Sequence, residues 1–488
     1  MGKGKRIYDL VPSVALSVVL IVLNVLRIIR IPITIDETGY VPTEGYWETM
    51  YKKYPSANNH ILHSLFRKFF IETFNDGVFF YRIDLLIAQL AFYVFSYKLM
   101  QQLFKSGWMV FAGFASLALV SPWVFEFWGL SRGYGWGLMS MVGSIYLMVR
   151  YFEQAKLRTL MLSISLAALS VYSNFSFLNV YGGIIASFLI VCILLSTNET
   201  KRPGIIKQLL AIALPTAVLA LLIVKPLMMV QSGGELNFLG AKGFKNDTVT
   251  SVLKCALYKS NESGIFPWVV RLTYYGTLVF SLFWIYALVQ RQKFTYLLTE
   301  LRTGVFLHLL LIMPFLAQVA QFHLLHINYL IDRAAMFFLL LYVIQLVYFF
   351  YFLHLAYSKN IQWAIGVVTL LLGGFFFSHV NLNRTFLWWY EEDDLKVLEK
   401  MASLTPPNSG KQRIWLDWQF VPAFTYDVIH FYPNRFSIID NSRTLPIGDT
   451  SFQFLYIRPE DIPNVAPCYE KVGEYCGGGA FKLYAKKK

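Results

Sequence analysis

Apolar runs near 20 residues long, separated by short connections carrying Lys and Arg, recur through most of the chain before a polar, turn-rich tail. That run length matches the ~20 residues a helix needs to cross about 30 Å of hydrocarbon at 1.5 Å per residue. The runs fall near 11–31, 80–103, 108–127, 134–152, 160–172, 177–195, 209–230, 268–289, 305–324, 334–357 and 363–380. They predict an all-α polytopic domain of about eleven transmembrane helices. After residue 380 the pattern changes: 413–420, 436–439, 451–457 and 480–486 alternate as strands do, and 422–431 suits a helix. Domains are therefore expected at 1–380, with a first outer loop at 32–79, and at 381–488, a small α/β module.

Composition agrees with lipid as the main solvent. The chain is 56% hydrophobic and 15% charged, whereas soluble domains hold about a quarter charged residues. Its net charge of +14 could suggest nucleic acid, but the cations sit mainly between apolar runs, so charge is read as topology and no nucleic-acid partner is expected. A basic start, Met1 to Arg6, precedes a first run too long for a signal peptide and without a small-residue cleavage site, so that run is expected to stay as a span. With a cytoplasmic N-terminus, Lys98 and Lys105; Arg150, Lys156 and Arg158; Lys201, Arg202 and Lys207; Arg291, Lys293 and Arg302; and Lys359 all fall inside. An odd span count then puts the tail outside the cytoplasm.

There are four cysteines. Cys192 lies in a span as a small apolar filler, and Cys255 has no evident partner. Cys468 and Cys476 are close in sequence and share the outer module, so a disulfide between them is expected in an oxidising compartment.

The chemistry-bearing groups gather on the outer side. Asp36 and Glu37 directly follow the first span; one carboxylate could take a proton from an attacking hydroxyl while the other orients it, or both could simply mark a charged helix end. After Glu44 to Tyr54 come Ile61, Leu62, Leu65, Phe66, Phe69 and Phe70, an apolar stripe at helical spacing opposite Ser64, Arg67, Lys68 and Glu72. That segment is expected to lie flat in the interface. His60 and His63 open it, as polar-face histidines or as a metal pair. Arg132, among the glycines of Gly129 to Gly135, suits a phosphate or a lipid headgroup. Lys225 lies in the outer part of a span, either functional or snorkelling. Asp332-Arg333 adds a further cation beside a carboxylate, or a structural pair.

Asp36-Glu37 after the first span, Asn58-Asn59-His60-Ile61-Leu62, Ser131-Arg132-Gly133-Tyr134 and Asp332-Arg333 before a late span together resemble membrane glycosyltransferases of the GT-C superfold. The branch is that of protein O-mannosyltransferases and lipid A aminoarabinose transferases, in its bacterial form. The resemblance implies a sugar donor on a polyprenyl or dolichyl phosphate and direct inverting displacement on the periplasmic face of a bacterial inner membrane. Asp36, with Glu37, would be catalytic, and His60, Arg132, Tyr134, Lys225, Asp332 and Arg333 would line the substrate site. The acceptor would be a protein hydroxyl, a glycan or a glycolipid. No cofactor is specified, though Asp36, Glu37, His60 and His63 could hold a divalent metal ion. The family's first-loop His-Pro-Pro stretch appears here as His60-Ile61-Leu62, without prolines. A transporter or lipid flippase is the alternative, which would predict inverted repeats and midplane charges.

Overall fold

The computed structural model describes residues 3–38, 60–75, 77–195, 203–235, 240–258, 264, 266–406, 409–438, 445, 447–476 and 479–487. Glu44 to Tyr54, Asn58, Asn59, Lys201 and Arg202 lie outside the described residues. The described residues fold as two compact units: those within Met1–Val25, Pro42–Asp76 and Phe80–Val380 form a helical unit, and those within Leu26–Val41, Gly77–Phe79 and Asn381–Lys488 form an α/β unit. Asp36 and Glu37 thus group with the tail.

Each expected span coincides with a helix. Among the described residues eight are long and apolar enough to cross a membrane: Leu10–Arg30, Val78–Leu103, Phe175–Leu194, Ile205–Ser232, Phe266–Val289, Arg291–Leu325, Asp332–Ala356 and Lys359–His379. The chain is an integral membrane protein. Lipid-facing sides are apolar, as Ile206, Leu210, Leu221, Val224 and Met228, all exposed along Ile205–Ser232, illustrate.

The other three expected spans differ for local reasons. Gly107–Ala118 stops early because Pro122 starts a new turn. Ser121 before it is extended, as residues preceding proline prefer, and its side chain accepts the Trp123 N–H at 3.2 Å. Tyr134–Gln154 is less apolar, carrying Ser, Gly and Tyr, because it is buried along nearly all its length by other helices. Leu157–Ser173 is apolar but short.

In the α/β unit, strands β1 (Gln412–Leu416), β2 (Phe436–Ile438), β3 (Phe454–Ile457), β4 (Tyr469–Tyr475) and β5 (Phe481–Lys486) form one mixed sheet in the order β2-β1-β3-β5-β4. β1 runs parallel to β2 and β3, and β5 antiparallel to β3 and β4. The expected strands and the helix Val421–Phe431 are present, while β4 and the helix Asp394–Leu404 are additional. One sheet face is covered by Val397, Leu398, Met401, Phe424 and Val428 from the two helices; the other carries a smaller cluster around Trp415 and Leu455.

The expected disulfide does not form: Cys468 and Cys476 are both free thiols. β4 runs between them, and at about 3.3 Å per residue an extended strand of this length separates its ends by roughly 20 Å or more, far beyond the ~7 Å limit for a bridge. Cys468 packs with the Trp415 cluster, whereas Cys476 is buried in the opposite one. There its thiol donates to the Tyr390 carbonyl at 3.0 Å, and burial raises its pKa to about 12.

Candidate functional site

The helical unit holds Arg132, Arg333 and the imidazoles of His60 and His63. Helix Ile61–Thr73 buries His63, Ser64 and Arg67 of its polar face and Ile61 of its apolar stripe, and leaves Glu72 and Phe69 exposed. Burial of His63, Ser64 and Arg67 turns these polar groups toward other helices of the unit. Arg67 stacks over the Tyr81 ring at 5.1 Å, and Phe66 stacks on Trp136 at 4.7 Å.

His63 Nδ1 lies 2.7 Å from Asp84 Oδ2, and its Nε2 lies 2.7 Å from Ser131 Oγ. Trp136 Nε1 also donates to Asp84 Oδ2, at 2.9 Å. Because a carboxylate only accepts, Asp84 fixes Nδ1 as the protonated nitrogen, and the imidazole passes that orientation on to Ser131. His63, Asp84 and Ser131 are each at most 3% exposed. The network ties the first outer loop to the 127–133 connection that carries Arg132. Asn24 ties down the other end of that connection, donating to the Trp128 carbonyl at 2.9 Å and to Gln89 Oε1 at 2.8 Å.

Arg132 is 1% exposed and His60 4%. Burial holds the His60 imidazole pKa well below its ordinary value, with Arg132, His63 and Arg333 adding cationic repulsion. These four groups therefore share one electrostatic neighbourhood. Tyr134 closes edge-on against His60, ring centroids 5.0 Å apart. The approach is close enough that a Cβ at Gly133 would overlap the His60 ring and the Ser173 carbonyl, which gives this glycine its reason.

Lys225 and Asp332 are placed differently. Lys225 is exposed, flanked on its helix by exposed Leu221, Val224 and Met228. Asp332 has a left-handed backbone, φ 45°. Its N–H donates to Ser251 Oγ at 2.8 Å, and its Oδ1 accepts the Cys255 thiol at 3.6 Å, so it anchors the 250–256 helix. The Cys255 thiol pKa is raised by burial and then by this carboxylate. Glu126, which the sequence did not single out, accepts the Tyr258 hydroxyl at 2.6 Å.

In the α/β unit, Asp36 and Glu37 occupy the one-turn helix Ile35–Thr38, which packs on Val421–Phe431. Thr34-Ile35-Asp36-Glu37 makes the carboxylate half of a capping box: Glu37 Oε2 accepts the Thr34 N–H at 2.8 Å, while the Glu37 N–H bonds the Thr34 backbone carbonyl, not its hydroxyl, at 2.8 Å. Glu37 is fully buried. The adjacent Ile35 N–H donates to Glu391 Oε1 at 2.9 Å, a contact between residues 356 apart in sequence. Burial raises the Glu391 pKa well above the carboxylate range, the Ile35 amide opposing this and Glu37, Asp36 and Asp427 adding to it.

Asp394 is fully buried, and its pKa too is raised by burial and then by Glu391, Asp427 and Asp393. A carboxyl with a raised folded pKa contributes stability fully below its unfolded value, about 3.9. That contribution is lost as pH rises through the folded value. Asp394→Asn is therefore expected to flatten the fall in melting temperature between pH 5 and pH 8. At pH 8 it should melt roughly 4 °C or more above the unsubstituted protein, the shift that ~1 kcal/mol gives for a unit of this size. Thermal unfolding in nanodiscs at both pH values measures this, and an unchanged pH dependence would assign it to other groups.

Among the described residues no group of three or more His, Cys, Asp or Glu is placed to hold a metal ion. No family model and no curated protein matches this sequence. Solved structures do. The chain is similar to ArnT from Cupriavidus metallidurans bound to undecaprenyl phosphate, at 11% identity, TM-score 0.42, and 98% coverage of this chain and 97% of that one. It is similar to the Archaeoglobus fulgidus oligosaccharyltransferase in complex with Zn and sulfate, at 13% identity, TM-score 0.42, and 96% and 73% coverage. The arabinosyltransferase EmbB from Mycobacterium smegmatis follows at 13% identity, TM-score 0.38, and 82% and 44% coverage. At these identities residue roles do not transfer from one chain to another.

Proposed function

We propose that this protein is a membrane glycosyltransferase that moves one sugar from a polyprenyl-phosphate donor to an extracytoplasmic hydroxyl, on a protein Ser or Thr, a glycan or a glycolipid. The observation that carries this reading is the buried Arg132 guanidinium, set in sequence between Ser131, which bonds His63, and Tyr134, which packs on His60. A planar guanidinium beside imidazoles suits a phosphate.

The step is a single displacement. Asp36 takes the acceptor hydroxyl proton, the acceptor oxygen forms a bond to the anomeric carbon, and the bond from that carbon to the phosphate oxygen breaks with inversion. The electron pair leaves on the lipid phosphate, where Arg132 and Arg333 stabilise the charge. Lipid phosphate as leaving group requires no nucleotide on the outer face, which suits a bacterial inner membrane with both site and tail in the periplasm.

Sugar release from a panel of polyprenyl-phosphate sugars, by protein in nanodiscs, tests the reading. Arg132→Ala is expected to weaken donor binding about tenfold or more, since hydrogen bonds to charged groups contribute ~1.5–3 kcal/mol. Failure of the unsubstituted protein to turn over any donor with any of the three acceptor classes would overturn it.

A further inference from the structure

Glu391 lies 355 residues beyond Asp36 in the chain, outside every segment the proposed reaction uses, and yet is 2% exposed and bonded to the turn that bears Asp36. We propose that Glu391 is a positioning residue, which holds the Thr34–Thr38 turn and the Asp36 carboxyl in reactive geometry by accepting the Ile35 N–H.

The inference rests on Asp36 being the base of the proposed transfer. A helix of one turn leaves its first amides without intrahelical acceptors. Here two carboxyls take them: Glu37 binds the Thr34 amide and Glu391 the Ile35 amide. The first acceptor is local, three residues along the same turn; the second arrives from the tail. With only one of the two, the turn loses a constraint immediately before Asp36. Its backbone would then sample orientations that misplace a base needing hydrogen-bond reach of about 2.6–3.2 Å to the proton it takes. The acidic surroundings fit this role. Burial first, and then Glu37, Asp36 and Asp427, disfavour charge on Glu391, and in either protonation state Oε1 accepts the Ile35 amide.

A positioning residue predicts a particular split. Glu391→Gln, which retains an acceptor at Oε1, should keep kcat within about threefold. Glu391→Ala should lower kcat by about 10-fold or more, with donor affinity and the KM for acceptor within about twofold, because the donor site is untouched. A 1 Å misplacement can lower rate by ~10²-fold, so the Ala effect is readable. Retained donor binding shows that the helical unit of the Ala variant is folded, and an unchanged melting transition shows that its α/β unit is. Full activity of Glu391→Ala, equal loss in Gln and Ala, or a loss confined to donor affinity would each overturn the proposal. Asp36→Asn assayed alongside separates the two ideas: if it is inactive while Glu391→Ala is fully active, the positioning role fails alone; if it is fully active, the underlying role of Asp36 fails.

Discussion

Asp36→Asn is expected to lower sugar transfer by about 10²–10⁴-fold, the usual contribution of a general base, while donor binding remains. Asn preserves volume and fits the same one-turn helix, so the loss isolates proton transfer from folding. Glu37→Gln is the paired control. Glu37 is fully buried and one of its oxygens is engaged by the Thr34 amide, and Gln serves equally at that place in a capping box. Its effect should stay within about threefold if the residue is structural. Single-turnover transfer with pre-bound donor measures both. Equal rates for Asp36→Asn and the unsubstituted protein would rule out Asp36 as the base, and a large loss in Glu37→Gln with none in Asp36→Asn would move the role one residue along.

The contrast between these neighbours shows where sequence reading succeeds and where it stops. Two adjacent carboxylates after a span are visible as a pair, but which is occupied by the backbone depends on the turn they adopt. T-x-x-E marks the bond from the Thr34 amide to the Glu37 carboxylate in retrospect, because Thr34 and Glu37 have the spacing it needs. The Glu391 bond has no such mark, since it joins residues 356 apart and no local pattern encodes a partner at that distance. Asp84 is an intermediate case: a lone carboxylate in an apolar run is a signal, the same one that drew attention to Lys225. Of the two, Asp84 is buried and Lys225 is exposed.

Spans that meet lipid were legible because their apolar faces are continuous. Tyr134–Gln154, wrapped by other helices, needs less hydrophobicity and shows less, and the break before Pro122 could be read from the proline alone. In the tail, β4 escaped because Tyr-Glu-Lys-Val-Gly-Glu-Tyr is an edge strand with only its first residue buried, so alternation is faint. Helix Asp394–Leu404 carries Val397, Leu398 and Met401 at helical spacing, a legible signal that strand patterning alone passes over. The disulfide was misread because nearness in sequence is not nearness in space once a strand intervenes.

Asp84→Ala should be the most destabilising single change in the helical unit's polar core. It removes the acceptor of both His63 Nδ1 and Trp136 Nε1, leaving two buried donors unsatisfied at ~1–3 kcal/mol each. A loss of about 3 kcal/mol or more follows. Asp84→Asn, which keeps one acceptor oxygen near both donors, should lose less than half as much. Ser131→Ala removes only the far partner of the imidazole and should cost about 1 kcal/mol. Thermal unfolding in nanodiscs orders the three, and the expected order from least to most stable is Asp84→Ala, Asp84→Asn, Ser131→Ala. Because His63 links this network to the connection bearing Arg132, donor affinity should fall in the same order as stability. Stability falling while donor affinity stays constant would confine the network to holding helices together. Ser131→Ala exceeding Asp84→Ala in either measurement would show that the hydroxyl, rather than the carboxylate, is the group that fixes the imidazole.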